Sequence, residues 1–198
     1  MQIKLSKPLI LASGSPRRFT LLKELGLDFE VDPAIDFQEK ENAEDLTPEA
    51  IAIHNAEGKA LEVAKNHPKS LILGVDTIGA YQHHILGKPK DLEDARRILK
   101  ILNGTTHEVI SGICLIDTEK NRKIARAEKT LVTFAKMSPR EIETYLESGE
   151  SMDKAAAFAI QGLGSLFIEK IDGDYFNVVG LPIFRMYKMF KEFGENLI

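Results

Sequence analysis

The chain has 198 residues, 43% of them hydrophobic, which suits a single domain over 1–198, or two small lobes, with an ordinary buried core. A formal net charge of -4 with 28% charged residues argues against a general nucleic-acid binder, although a locally cationic cleft could still hold a polyanion. One cysteine, Cys114, excludes an intrachain disulfide framework and fits a reducing cytoplasm; no stretch approaches the roughly 18 apolar residues of a membrane span, and no signal peptide is visible.

In chain order, Leu9–Ser13 is an apolar run expected to form a buried strand. Ser15-Pro16 then sets an N-cap and a proline at the first helical position, Phe19, Leu22 and Leu25 share a face, and Gly26 ends the helix. Asp32–Asp45 is polar and acidic, a loop or lid. Thr47-Pro48 repeats the cap, opening a helix to about Lys65. Leu71–Val75 is a second buried strand, ending at Asp76-Thr77, and Gly79–Gly87 is a hairpin-like excursion around Gln82-His83-His84.

Asp91 caps a helix whose apolar stripe is Ala95, Ile98, Leu99 and Leu102. His107–Ile116 and Ile124–Phe134 are two long strands joined by the polar turn Asp117–Arg122, an antiparallel pair. Ser138-Pro139-Arg140-Glu141 is a capping box opening a helix to about Gly149. Leu166–Ile171 and Tyr175–Val179 flank Asp172-Gly173-Asp174 as a hairpin, and Pro182–Phe193 is a last amphipathic helix. Early alternation of strands with helices and late direct pairing predict an α/β fold, a mixed β-sheet flanked by helices around a central cleft.

Four groups of residues could carry chemistry. Ser13-Gly14-Ser15-Pro16-Arg17-Arg18 has the makings of an anion site: a helix start offers free amides, Gly14 permits close approach, and the guanidinium forks match phosphate. It suits equally a capped helix with two solvated arginines, and it is not a Walker loop. Asp76, at a strand end, could bind a divalent metal or orient water, or simply form a turn. Lys88 in Leu86-Gly87-Lys88-Pro89 and Lys59 inside a helix could neutralise phosphate, or snorkel to solvent. Gln161, between Ile160 and Gly162, carries the donor and acceptor needed for a base edge. Cys114 is expected buried and inert, His107 a hydrogen-bonded structural residue, and His83 and His84 exposed.

Taken together, Ala12–Arg18, Gly-Val-Asp-Thr at Gly74–Thr77, Leu-Gly-Lys-Pro at Leu86–Pro89, Asn-Gly-Thr-Thr-His-Glu-Val at Asn103–Val109, and Gly149–Gly162 resemble the Maf family over nearly the whole chain. The resemblance implies a cytoplasmic nucleoside triphosphate pyrophosphatase, often dimeric, that needs a divalent cation such as Mg²⁺ or Mn²⁺. It makes Asp76 the general base and a metal ligand, with Ser13, Ser15, Arg17, Arg18, Lys59, Thr77, Lys88 and Gln161 binding substrate. Arg17, Thr77 and Gln161 resemble the branch acting on dTTP and UTP. A modified or non-canonical nucleotide (7-methyl-GTP, ITP), or a non-enzymatic nucleotide-binding role in cell division, is the alternative. This chain departs from the family pattern at Phe37, where an acidic residue is usual; Asp36, Glu39 or Glu41 could substitute if the loop is displaced. It also carries Ser151, Ala156, Phe158 and Ala159 where Pro, Gly, Tyr and Gly are usual.

Overall fold

A computed structural model describes residues 3–41 and 46–198 of the chain. Strands β1 (Leu9–Leu11), β2 (Glu30–Val31), β3 (Leu71–Tyr81), β4 (His84–Leu86), β5 (Thr106–Asp117), β6 (Arg122–Phe134) and β7 (Ile168–Asp172) form one sheet. The order is β2-β1-β3-β5-β6-β7, with β4 also on β3. β2, β1 and β3 pair in parallel, whereas β3 to β7 pair antiparallel, so the sheet is mixed as the alternation of elements predicts. The helices are α1 (Pro16–Glu24), α2 (Pro48–Ala64), α3 (Leu92–Leu102), α4 (Pro139–Glu147), α5 (Tyr175–Val179) and α6 (Ile183–Glu192).

Strand alternation sorts the core. Leu71, Leu73 and Val75 of β3 and Ile113 and Leu115 of β5 face α1 and α6, where they meet Leu22, Met186 and Phe190. Ile72, Cys114 and Ile116 face the other way, onto Ala56, Ala60 and Val63 of α2. Towards the far end of the long strands, Val109, Val132 and Phe134 bury against α3 and α4. Small residues let α2 lie close: a Cβ on Gly74 would sit 2.2 Å from the Ala56 carbonyl oxygen, and one on Gly112 would sit 2.1 Å from that of Ala52. Neither position accepts a side chain without moving α2 off the sheet.

Local signals explain the ends. Thr47 and Asp91 accept hydrogen bonds from the amides of Ala50 (3.2 Å) and Asp94 (2.8 Å), and Ser138 and Glu141 form the reciprocal capping box. Gln82 and His83 both have positive φ, 49° and 67°, the two-residue turn that suits strand twist between β3 and β4.

Several expectations change. β1 ends at Leu11, so Ser13 lies in the following loop. Ser15 stands at the N-cap of α1, but its hydroxyl caps no amide. The buried face of α1 is Arg18, Leu21 and Leu22; Phe19 is exposed and packs edge-on against Phe29 instead. Tyr175–Val179 is a helical turn rather than a strand, because Asp174 accepts from the Phe176 amide (2.8 Å) and Gly173 takes a φ of 132°. The preceding apolar run is likewise split: Leu163–Phe167 is 3-10 helix and only Ile168–Asp172 is strand. The acidic segment after β2 has no helix or strand through Glu41; residues 42–45 of that expected loop or lid lie outside the described ones.

Candidate active site

The sheet has a gap, and the site sits in it. One edge of β3 pairs with β5 without interruption from Leu71 to Ala80. On the other edge, β1 covers Leu71–Leu73 and β4 covers Gly79–Tyr81. Among the described residues, 74–78 therefore have no neighbouring strand there. Asp76 and Thr77 point to opposite faces, yet both reach the cavity of about 770 Å³ that opens at this gap. Asp76 is thus mid-strand and not at a strand end, since β3 runs on to Tyr81. The crevice forms because the parallel neighbour stops, as at a topological switch point in open α/β sheets.

Asp76 is 5% exposed and both of its oxygens are held. Lys59 Nζ donates to Oδ1 at 2.7 Å and Asn55 Nδ2 donates to Oδ2 at 3.0 Å. Asn55 and Lys59 are four residues apart on α2 and so share a face. The close approach of α2 over Gly74 and Gly112 brings that face to the carboxylate. Lys59 Nζ also lies 2.6 Å from Glu39 Oε1, so it bridges two carboxylates.

Ser13, Gly14, Ser15, Arg17, Arg18 and Lys88 line the same cavity. Arg18 differs from the others. It is 9% exposed, and its three nitrogens donate to the Gly180 carbonyl (2.9 Å), Ser13 Oγ (2.8 Å) and Thr77 Oγ1 (3.1 Å). Burial pulls its guanidinium down to about 10, with Asp76 opposing and Arg17 adding, so it stays charged at neutral pH. Arg18 braces the loop from behind. Thr77, expected among the substrate-binding residues, joins that brace, its hydroxyl 2.8 Å from Ser111 Oγ and 3.3 Å from the Gly180 carbonyl. Of the predicted cations, Arg17 and Lys88 are the more exposed, and Lys40 is a further exposed cation on the same cavity. Arg17 has a distant partner, Asp153 at 3.9 Å, and Lys88 has no salt bridge among the described residues.

The opposite wall is the turn Asp153–Gln161. Ala156 and Ala157 have φ of 56° and 59°, a left-handed conformation in which a Cβ costs on the order of 1 kcal/mol. The Ala156 amide donates to the Gly87 carbonyl at 3.0 Å and so clasps this wall to the turn bearing Lys88. The Glu150 carboxylate accepts from the amides of Leu163 (3.0 Å) and Gly164 (2.9 Å) and from the Tyr145 hydroxyl (3.1 Å). Gln161, exposed on the cavity, is carried by the turn that Glu150 fixes. The ammonium of Lys154 beside Asp153 holds that carboxyl below the usual range, with Arg17 adding.

The remaining candidates stand aside. Cys114 is buried on the α2 side and burial pushes its thiol up to about 12. His83 and His84 are exposed in the hairpin turn. His107 is buried as expected, but neither ring nitrogen has a hydrogen-bond partner among the described residues, and Phe134 and Phe158 pack edge-on at 4.9 and 5.1 Å. Burial lowers it to about 4. Asn55 and Glu150 were missed by sequence reasoning. A lone asparagine in a helix carries no pattern, and Glu150 reads as an ordinary loop carboxylate.

A family model described as Maf-like protein matches residues 8–193. The chain belongs to the Maf family. Curated Maf relatives match end to end. A protein named dTTP/UTP pyrophosphatase from Alkaliphilus oremlandii is 49% identical over 194 residues, covering 97% of this chain and all of that one. Proteins of the same name from Syntrophomonas wolfei (46% over 188 residues; 95% and 98%) and Dictyoglomus thermophilum (40% over 194 residues; 98% and 100%) are similar too. The segments that resemble Maf motifs in the sequence contribute residues to this cavity, and of Asn103–Val109 only Val109 does so. No helix among the described residues is long and apolar enough to cross a membrane.

Proposed function

We propose that this Maf chain hydrolyses dTTP and UTP to the nucleoside monophosphate and pyrophosphate, as a cytoplasmic enzyme and a homodimer. The observation that carries the reading is the sheet gap, where outward cations, hydroxyls and loop amides share one cavity with a buried, doubly held carboxylate. The names of the relatives support the substrates.

The roles follow from position. Arg17, Lys88, Ser13 and Ser15 bind the phosphates, with the amides at the start of α1 adding donors. Arg18 contributes charge from behind and holds Ser13 and Thr77. Asp76 takes a proton from water as the water oxygen bonds to the α-phosphorus; the α–β bridging oxygen leaves with pyrophosphate. Lys59 holds Asp76 and Glu39 in register and offsets phosphate charge. Positioning and electrostatics of this kind make up most of phosphoryl-transfer catalysis. Gln161 faces the base.

A divalent cation fits the residues present. No group of three or more His, Cys, Asp or Glu able to hold an ion exists among the described residues, which disfavours a closed all-protein site. Asp76 and Glu39 both converge on Lys59 Nζ, and Glu41 lines the same cavity. One or two carboxylates with phosphate oxygens completing the shell is the usual arrangement for Mg²⁺, and Mn²⁺ shares the preference for oxygen ligands. When bound, such an ion would polarise the phosphoryl oxygens. Glu39 takes up the role left open by Phe37, whose ring packs over Gly58 of α2.

The test is pyrophosphate release from dTTP, UTP, CTP, 7-methyl-GTP and ITP with Mg²⁺ or Mn²⁺. Fastest turnover of dTTP and UTP is expected. A preference for 7-methyl-GTP or ITP overturns the substrate assignment, and no release from any of them favours the non-enzymatic regulator. Sedimentation of the purified chain tests the dimer.

A further inference from the structure

One buried side chain ties the reactive carboxylate to a separate wall of the cavity. Asn55 is 1% exposed, and its carboxamide is saturated. Its Oδ1 accepts from the Lys40 amide at 2.8 Å, and its Nδ2 donates to the Lys40 carbonyl and to Asp76 Oδ2, both at 3.0 Å. The orientation is set by chemistry: the flipped amide would face an N–H with its nitrogen and a carboxylate with its oxygen. A second path closes a ring. Glu39, next to Lys40, pairs with Lys59, and Lys59 pairs with Asp76 Oδ1. The segment Glu39–Glu41 lines the cavity but has no regular secondary structure of its own, so these contacts set its place.

We propose that Asn55 is a positioning residue for hydrolysis: it orients Asp76 and makes that orientation depend on the seating of Glu39–Glu41 against α2. The proposal rests on Asp76 being the group that meets the attacking water. Asn55 borders the cavity but is 1% exposed, with its amide turned to Lys40 and Asp76, so its loss acts through the carboxylate and through the segment. Two oxygens held by two donors on one rigid helix fix the plane of the carboxylate. With Asn55 removed, Lys59 alone cannot do so. The Lys40 amide and carbonyl also lose their partner, and Glu39 moves away from Lys59.

Two variants and one exchange measurement test it. Asn55→Leu keeps the branching and the number of heavy atoms and deletes all three hydrogen bonds; Asn55→Asp keeps acceptance from the Lys40 amide but turns the donor to Asp76 into a like charge. Both are expected to lower kcat for dTTP at least about 10-fold, with KM changed less than about threefold. A merely structural role would lower the melting temperature and leave kcat per folded molecule within about twofold, and that result overturns the proposal. Should either variant fail to fold, Asp76→Ala carries the test through hydrogen exchange. The Lys40 amide, which does not touch Asp76, is expected to exchange at least about 10-fold faster once the ring is broken. Unchanged exchange overturns the coupling. If Asp76→Asn keeps full turnover, the reading of Asp76 fails. If Asp76→Asn is inactive while both Asn55 variants turn over normally, only the present proposal fails.

Discussion

The two ends of the cavity are built differently. The end we assign to the phosphates rests on β1, β3, α1 and α2, and its polar groups form buried networks: Arg18 with Ser13, Thr77 and Gly180, and Asp76 with Asn55 and Lys59. The end we assign to the base is a run of turns, with two left-handed alanines and one partly exposed carboxylate, Glu150, holding the amides of Leu163 and Gly164. The first arrangement fixes atoms for chemistry and tolerates little. The second is held by contacts from turns, among them the Ala156 amide on the Gly87 carbonyl and Phe158 against His107.

The largest effect should come from the rigid end. Asp76→Asn is expected to lower kcat by about 10²-fold or more, the range for a general base, with folding intact by thermal melting. Comparable turnover would remove the contrast between the ends altogether.

A stability effect probes the floor beneath the base-facing end, where His107 meets Phe158. The folded value of His107, about 4, lies below its ordinary 6.5, so on acidification the unfolded chain binds the proton first. Stability is full above about pH 6.5 and drains as pH falls towards 4, by about 2 kcal/mol at pH 5. His107→Phe should flatten that decline, read from denaturant melts at about pH 7 and pH 5; an unchanged slope would mean the ring titrates normally.

Arg17→Ala should weaken triphosphate binding about 10-fold while altering monophosphate binding little, consistent with a charge-assisted contact to distal phosphates. Equal losses for both ligands would place Arg17 away from them. Glu150→Gln sharpens the comparison. It should leave kcat for dTTP within about threefold but narrow the preference for dTTP over CTP by a few-fold, because it loosens the turn that carries Gln161. A large loss of kcat would show that the two ends are not separable. The smallest effect is expected from Ala156→Gly. Relief of left-handed strain is offset by the entropy of glycine and by loss of a buried methyl, so the melting temperature should change by less than about 2 °C in either direction, read by thermal melting.

Much of the phosphate end was legible in the sequence because local rules govern it. The prolines after Ser15 and Thr47 and the apolar run before Asp76 each act within a few residues, as does the capping box at Ser138 outside that end. The gap itself was not legible. It exists because β1 stops at Leu11 while β4 returns only as far as Gly79, a tertiary fact with no local sign. For the same reason Asp76 was placed at a strand end. Arg18 looked like the twin of Arg17; only the Gly180 carbonyl, 162 residues away, makes one a brace and leaves the other facing the cavity. Tyr175–Val179 has a strand-like composition over five residues, too few to separate the two periodicities, and Asp174 decides for helix. His107 was expected to have a hydrogen-bond partner, and its aromatic neighbours come from β6 and the later turn, far off in sequence.

The central claim is that water attacks the α-phosphorus at Asp76. Turnover of dTTP in ¹⁸O-labelled water tests it directly by mass spectrometry of both products. The label should appear in the nucleoside monophosphate and not in pyrophosphate. Label in pyrophosphate, or release of orthophosphate with a nucleoside diphosphate, would contradict the account.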